Sequence, residues 1–452
     1  MNSNWIETTL GEIAEPNGGI VDGPFGSNLP ASCYVAEGIP VIRGSNLFIG
    51  IERFRDSDYV YVSEETLKRL KRSEALPDDI IFTKKGTLGQ TGLVPNAKTH
   101  ARYLVSSNQM RLRVNKKLAN PHYVYYYVSS RDSYEKIQRD SEFTGVPKIN
   151  LGYLKKFPIK LPPSLHEQNR IAEILDSFED KIELNRQVNQ TLEQMAQAIF
   201  KSWFVDFDPV KAKAQSGDPE AIAQQLSLSR EILDLFPSEF EDSELGPIPK
   251  GWKVKKLNDV VELSKESLTP SDFPSEVFDH FSIPAYDQHK LPMPETGESI
   301  KSNKYLVKEK SILLSKLNPR LPRCWMPKLR SGARSICSTE FLVITIKTKF
   351  SREYLYSLFN SRPFIDTFAT LVTGTSGSHQ RVKPESLYEL KVVEPFTAII
   401  DQFTNKLAPS FKIIELNREQ TRTLSSIRDN LLPKLISGEI SLVEHGEIDV
   451  KE

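Results

Sequence analysis

At 452 residues, with 39% hydrophobic residues and a mean hydropathy of −0.38, the chain is too long for one ordinary core and predicts two to four soluble, globular domains. It has no apolar stretch near about 18 residues, no charged-then-apolar leader between Met1 and Leu10, and only three scattered cysteines, Cys33, Cys324 and Cys337. A transmembrane helix is thereby excluded, export, a disulfide framework and a zinc knuckle are not expected, and a cytoplasmic setting is expected.

The 59 basic and 59 acidic residues balance only in total. Residues 1–163 carry 22 basic against 17 acidic, and 246–396 carry 23 against 16, whereas 164–245 carry 7 against 17 and 397–452 carry 7 against 9. Screening over about 10 Å decouples distant charges, so a basic block can attract a polyanion within a neutral chain. A solvated surface is the competing reading of such an excess.

In chain order, Gly38-Ile39-Pro40-Val41-Ile42-Arg43-Gly44-Ser45 predicts a strand running into a loop. Asp79-Ile80-Ile81-Phe82-Thr83-Lys84-Lys85-Gly86 does the same, and its loop is basic. Asn120-Pro121 predicts a helix start, with Asn as N-cap and Pro in the first turn. Ile171, Leu175, Phe178, Ile182, Asn185, Asn189, Leu192, Ala196 and Ile199 step by alternating fours and threes, a heptad seam that predicts one long helix stopped by Pro209. Residues 209–245 are acidic, Pro-punctuated and partly helical, and connect the two halves of the chain.

The second half repeats the first. Trp252 to Val260 echoes Trp5 to Ile13 at an offset of 247; further on the offset settles to 232, bringing 79–84 onto Ser311-Ile312-Leu313-Leu314-Ser315-Lys316, Pro95 onto Pro327 and Glu183-Leu184-Asn185 onto Glu415-Leu416-Asn417. The seam recurs as Phe403, Leu407, Ser410, Ile414, Asn417, Thr421, Leu424, Arg428 and Leu431, weakened at Ser410 and Arg428 and stopped by Pro433 with Gly438. Two seams in matched register favour packing on each other, with Asn185 and Asn417 fixing the pairing. Separate packing of each helix on its own domain is the alternative.

Catalytic constellations are missing. The seven histidines form no HExxH pair, and Gly374-Thr375-Ser376-Gly377-Ser378 lacks the Lys of a phosphate cradle. Asn120-Pro121-His122-Tyr123 superficially resembles the Asn-Pro-Pro-Tyr motif of adenine-N6 methyltransferases, but its third residue differs and the helix N-cap explains it. The adjacent carboxylates Glu64-Glu65 and Asp78-Asp79 read as solvated surface. A binding protein is expected.

Five segments carry a resemblance: Gly23-Pro24-Phe25-Gly26-Ser27-Asn28-Leu29; Leu161-Pro162-Pro163-Ser164-Leu165-His166-Glu167-Gln168 leading into Ile171-Ala172-Glu173-Ile174-Leu175; Trp203-Phe204-Val205-Asp206-Phe207; Leu245-Gly246-Pro247-Ile248-Pro249-Lys250-Gly251-Trp252; and Leu431-Leu432-Pro433-Lys434-Leu435-Ile436-Ser437-Gly438-Glu439-Ile440. In order and duplication, across essentially the whole chain, the sequence resembles the specificity subunit of type I restriction–modification enzymes. The resemblance implies an α+β chain: two pseudo-symmetric mixed α/β target-recognition domains, 1–163 and 246–396, separated by two long helices packed as an antiparallel coiled coil, 164–208 and 397–440. Residues 209–245 would be the acidic connector and 441–452 an acidic tail. The implied chain is non-catalytic, with no cofactor of its own. Double-stranded DNA, two methyltransferase subunits and restriction/translocase subunits would be its partners, and S-adenosylmethionine, ATP and Mg would belong to those subunits. The second half lacks a GPFGS-like loop.

The candidate DNA contacts are Arg43, Ser45, Lys84, Lys85 and Thr87 in the first half, and Lys316, Arg320, Arg323, His379 and Arg381 in the second. Helix pairing and partner docking are expected from Ile171, Leu175, Ile182, Asn185, Leu192, Ile199, Leu407, Ile414, Asn417, Leu424 and Leu431, with Trp203 and Phe204 as anchors or as core under the helix end. The first seam would span about 42 Å at 1.5 Å per residue, near the roughly 34–36 Å between major-groove sites one turn apart. Rival readings are a protein-binding coiled-coil scaffold without DNA readout and a stand-alone DNA methyltransferase.

Overall fold

The computed structural model describes residues 5–96, 100–141, 147–215, 217–373, 380–442 and 448–450. The chain divides into two compact units, Met1–Glu183 with Thr423–Glu452, and Leu184–Arg422.

In the first unit, strand Ile80–Thr83 is the middle of a five-stranded antiparallel sheet ordered Ile20–Asp22, Gln109–Leu112, Ile80–Thr83, Gln90–Leu93, Phe48–Ile49. Ile80 and Phe82 enter one core with Met110, Tyr123 and Tyr126, while Ile81 enters another with Ile42, Tyr103 and Val105. Side chains alternate faces along a strand, so a strand covered on both faces reads as an unbroken apolar run. A second sheet, ordered Tyr34–Val35, Val60–Val62, Ile39–Ile42, Tyr103–Val105, Glu74–Ala75, contains one parallel pair, Ile39–Ile42 with Tyr103–Val105. Helix Pro121–Val128 starts as expected, Asn120 Oδ1 accepting from the N–H groups of His122 and Tyr123. Ile171, Ala172, Leu175, Leu432, Leu435 and Ile436 of the long helices complete the larger core.

The second unit repeats this plan. Strand Ile312–Ser315 lies in an antiparallel sheet ordered Val261–Ser264, Phe341–Ile346, Ile312–Ser315, Cys324–Trp325. Ile312 and Leu314 enter one core and Leu313 another. The companion sheet again has a single parallel pair, Val277–Phe281 with Ser335–Cys337. Register carries the repeat residue by residue: Ile80 faces Leu112 and Ile312 faces Ile344, both members displaced by 232. Residues 208–245 include helices Asp208–Ala214, Pro219–Gln225 and Arg230–Leu235, and Val210 and Phe236 pack into this unit's main core.

The long helices run Leu165–Phe204 and Thr397–Ser437. Within the second unit they are antiparallel: Asn185 Nδ2 donates to Gln420 Oε1 (3.0 Å) and Thr421 Oγ1 (3.4 Å), and Asn189 Oδ1 accepts from Asn417 Nδ2 (2.9 Å). The helices depart from expectation at Arg428 and at both prolines. Arg428 is not an unpaired charge in the seam: it is buried in an ion pair with buried Glu179 inside the first unit. Pro433 does not stop its helix. The backbone continues to Ser437 and ends at Gly438, whose φ of +76° suits a residue without a β-carbon and which lies flush on the Trp5 ring. The first helix ends at Phe204, ahead of Pro209, which sits in the first turn of the next helix. Asp78-Asp79 is likewise not solvated surface: Asp78 turns with φ +69° and sends Asp79 inward, where its carboxylate accepts from Nε (2.8 Å) and Nη2 (2.7 Å) of Arg113.

Candidate nucleic-acid interface

In the first unit, strand Ile80–Thr83 delivers Lys84, Lys85, Gly86 and Thr87 to one end of its sheet. Main-chain bonds hold the turn: Lys84 N–H donates to Asn108 O (2.9 Å), Ile149 N–H to Lys84 O (2.9 Å), and Gly86 N–H to Pro147 O (3.3 Å). Gly86 takes φ +102°, where a β-carbon is strained. Gln90 joins this loop to the turn at 43–46. Its Oε1 accepts from the Thr83 hydroxyl (3.3 Å), and its Nε2 donates to the carbonyls of Gly44 (3.2 Å) and Leu47 (3.3 Å). The five candidates of this half are therefore gathered in one place. Ser45, Lys85 and Thr87 are exposed; Arg43 and Lys84 are half-buried. Lys84 Nζ pairs with Asp22 (2.9 Å), and Arg43 Nη2 donates to Asp58 O (3.2 Å).

The second unit builds the same loop. Lys316 N–H donates to Glu340 O (2.9 Å), Val382 N–H to Lys316 O (3.0 Å), and Asn318 N–H to Gln380 O (2.9 Å). Every participant lies 232 or 233 residues beyond its counterpart. Asn318 replaces Gly86 with φ +48°, and Asn is among the few side chains that adopt this region readily. Arg381 stands opposite Leu317 as Lys148 stands opposite Lys85. Arg381 donates from Nε (3.0 Å) and Nη2 (2.9 Å) to Glu340, which raises its guanidinium pKa further, and Arg323 donates from Nε (2.6 Å) and Nη2 (2.8 Å) to Asp287, with the same effect. Lys316 is half-buried and Arg320 exposed. His379 lies outside the described residues. A cation already ion-paired must exchange its carboxylate for a phosphate, so Lys85 and Arg320 are the readier contacts. Sequence reasoning missed Gln90, Asn108 and Glu340, although the 232 offset pairs the last two.

Among the helix candidates, Ile171, Leu175, Ile182, Asn185, Leu407 and Ile414 are buried, while Leu192, Ile199, Asn417, Leu424 and Leu431 are half-buried. Trp203 and Phe204 are buried in the second unit, edge-on to Phe403. Its helix stretches instead leave Leu184, Met195, Ile413 and Leu416 exposed.

Among the described residues no group of three or more His, Cys, Asp or Glu is placed to hold a metal, and no helix is long and apolar enough to cross a membrane. The most perturbed histidine is structural. His122 lies between Asp176 (Nδ1, 2.7 Å) and Asp78 (Nε2, 3.4 Å), and Asp176 also accepts from the Tyr126 hydroxyl (2.7 Å) and from Arg53 Nη1 (3.3 Å). Burial alone would lower the imidazole pKa, but hydrogen bonds to the two carboxylates overcome it and hold it at about 9.

The family model for the type I restriction modification DNA specificity domain matches residues 2–194. The type I restriction enzyme HindI specificity subunit of Haemophilus influenzae is 26% identical, over 97% of this chain and 100% of that protein. The MjaIX specificity subunit of Methanocaldococcus jannaschii is 25% identical over 86% and 85%. The crystal structure of a type I restriction–modification S subunit from M. genitalium shares the fold, with a TM-score of 0.54, 13% identity and 96% of each chain covered.

Proposed function

Starting from a chain that belongs to the family of type I restriction–modification specificity subunits, we propose that its two units each read one part of a split double-stranded DNA target. The observation that supports this reading most is the duplicated basic loop, in which the same three main-chain bonds present Lys84 and Lys85 in one unit and Lys316 in the other. A rigid loop on a sheet end gives phosphate attraction through its exposed cations and leaves neighbouring polar groups to meet base edges.

Specificity subunits are non-catalytic. Methyl transfer from S-adenosylmethionine would belong to two methyltransferase subunits, and cleavage with ATP and Mg to restriction/translocase subunits. We place methyltransferase docking on the long helices. Exposed Leu184, Met195, Ile413 and Leu416 supply apolar surface there, whereas Trp203 and Phe204 are already used in the core. The test is a genome-wide map of methylated adenines after co-expression with the cognate methyltransferase subunit, with and without this chain. A split motif that appears only with the chain is expected. No new motif, with the proteins present and associated, overturns DNA readout in favour of a protein-binding scaffold.

A further inference from the structure

We propose that Phe25 and Leu321 are apolar base-contacting residues, one for each half of the target; the proposal rests on the DNA-reading function above. They are the two most exposed large apolar side chains among the described residues, at 81% and 60%, and each unit holds one. Isolated exposed apolar residues are common on protein surfaces. These two, however, both adjoin the duplicated loop, and both are carried on backbone with little freedom.

Phe25 lies between Pro24 and Gly26. Gly23 N–H donates to Gln109 O (2.9 Å), and a β-carbon at Gly23 would stand 1.8 Å from Ser106 O, so the chain runs flush against the turn at 106–109. Asp22, three residues before Phe25, is the partner of Lys84. Asn28 N–H closes the turn onto Phe25 O (2.8 Å). Leu321 lies between Arg320 and Pro322 on the loop that begins at Lys316. Its N–H donates to Asn318 O (2.9 Å), Asn318 is tied in turn to Gln380, and Arg323 is clamped by Asp287. Proline fixes φ, so side chains held this way lose little further entropy when a partner covers them.

The surroundings choose the partner. A basic loop draws in a polyanion, and the apolar parts of duplex DNA are the deoxyribose carbons, which carry no sequence information, and the thymine methyl groups and faces of the base steps, which do. Phosphates offer nothing to a phenyl ring or an isobutyl group. On the proposal, contacts from Phe25 and Leu321 fall on bases and contribute discrimination, whereas contacts to deoxyribose would weaken target and random DNA alike; neither changes the number of counterions released.

The test uses the assembled complex of full-length chain and methyltransferase subunit, with Phe25→Ala and Leu321→Ala made separately. Both side chains project into solvent, so thermal unfolding should match the parent. The expected result is a roughly tenfold loss of affinity for the target with unchanged binding to random DNA and an unchanged salt slope. The methylation map should relax in one half of the split motif for Phe25→Ala and in the other half for Leu321→Ala. Parental motif and parental affinity in both variants overturn the proposal, as does equal weakening on target and random DNA. A parent complex that yields no split motif is a different failure, since it removes the DNA-reading function itself.

Discussion

Lys84 and Lys85 are adjacent in sequence, yet one is tied to Asp22 and the other faces solvent. Lys85→Ala should therefore flatten the slope of log affinity against log salt by about 0.9, the value for one lost phosphate contact. Asp22→Ala should free Lys84 and strengthen binding to random DNA; titrations at several salt concentrations check both. His122 makes a prediction about pH. Its folded pKa of about 9 lies above the ordinary value near 6.5, so its contribution to stability is full below about 6.5 and is lost as pH rises through about 9. An NMR titration of the imidazole should show the high midpoint, and His122→Ala should remove that arm of the stability curve. The sequence made the Asn120 cap legible because a cap is local. It hid the role of His122, whose carboxylate partners lie 44 and 54 residues away.

For the helices, the seam was legible because a heptad is periodic. The sequence showed the charge of Arg428 without its counter-charge, because its partner Glu179 lies 249 residues away. A charge judged without its partner looks like a defect; with the partner it is a matched insertion in the core. Breaking such a pair leaves an uncompensated buried charge, so Glu179→Ala or Arg428→Ala should cost about 3–5 kcal/mol in urea unfolding. Replacing both with Met and Leu should restore most of that loss or exceed the parent. Pro433 misled for a related reason: a proline inside a helix costs about 3 kcal/mol, which the buried Leu432, Leu435 and Ile436 beside it can offset. Gly438→Ala should be destabilising, since it adds strain at φ +76° and drives a methyl group into Trp5.

For the molecule as a whole, the internal repeat was visible as an offset, and the same offset reappears in strand register and loop hydrogen bonding. That the first unit's core includes Leu432, Leu435, Ile436 and Ile440 left no local trace. Deleting residues 423–452 should strip hydrogen-exchange protection from the first unit while 184–422, a contiguous stretch with its own core, stays protected. This borrowing also orders events at the ribosome. At about 5–20 residues per second, roughly ten to fifty seconds separate synthesis of residue 183 from that of residue 423. The first-made half thus waits through that interval with apolar surface uncovered, and the second unit, whose core needs Phe403, Leu407, Phe411 and Ile414, closes only as the interval ends, just before the first. The nascent chain finishes folding in the reverse of the order in which it is translated, and its dependence on chaperones should be concentrated in that interval.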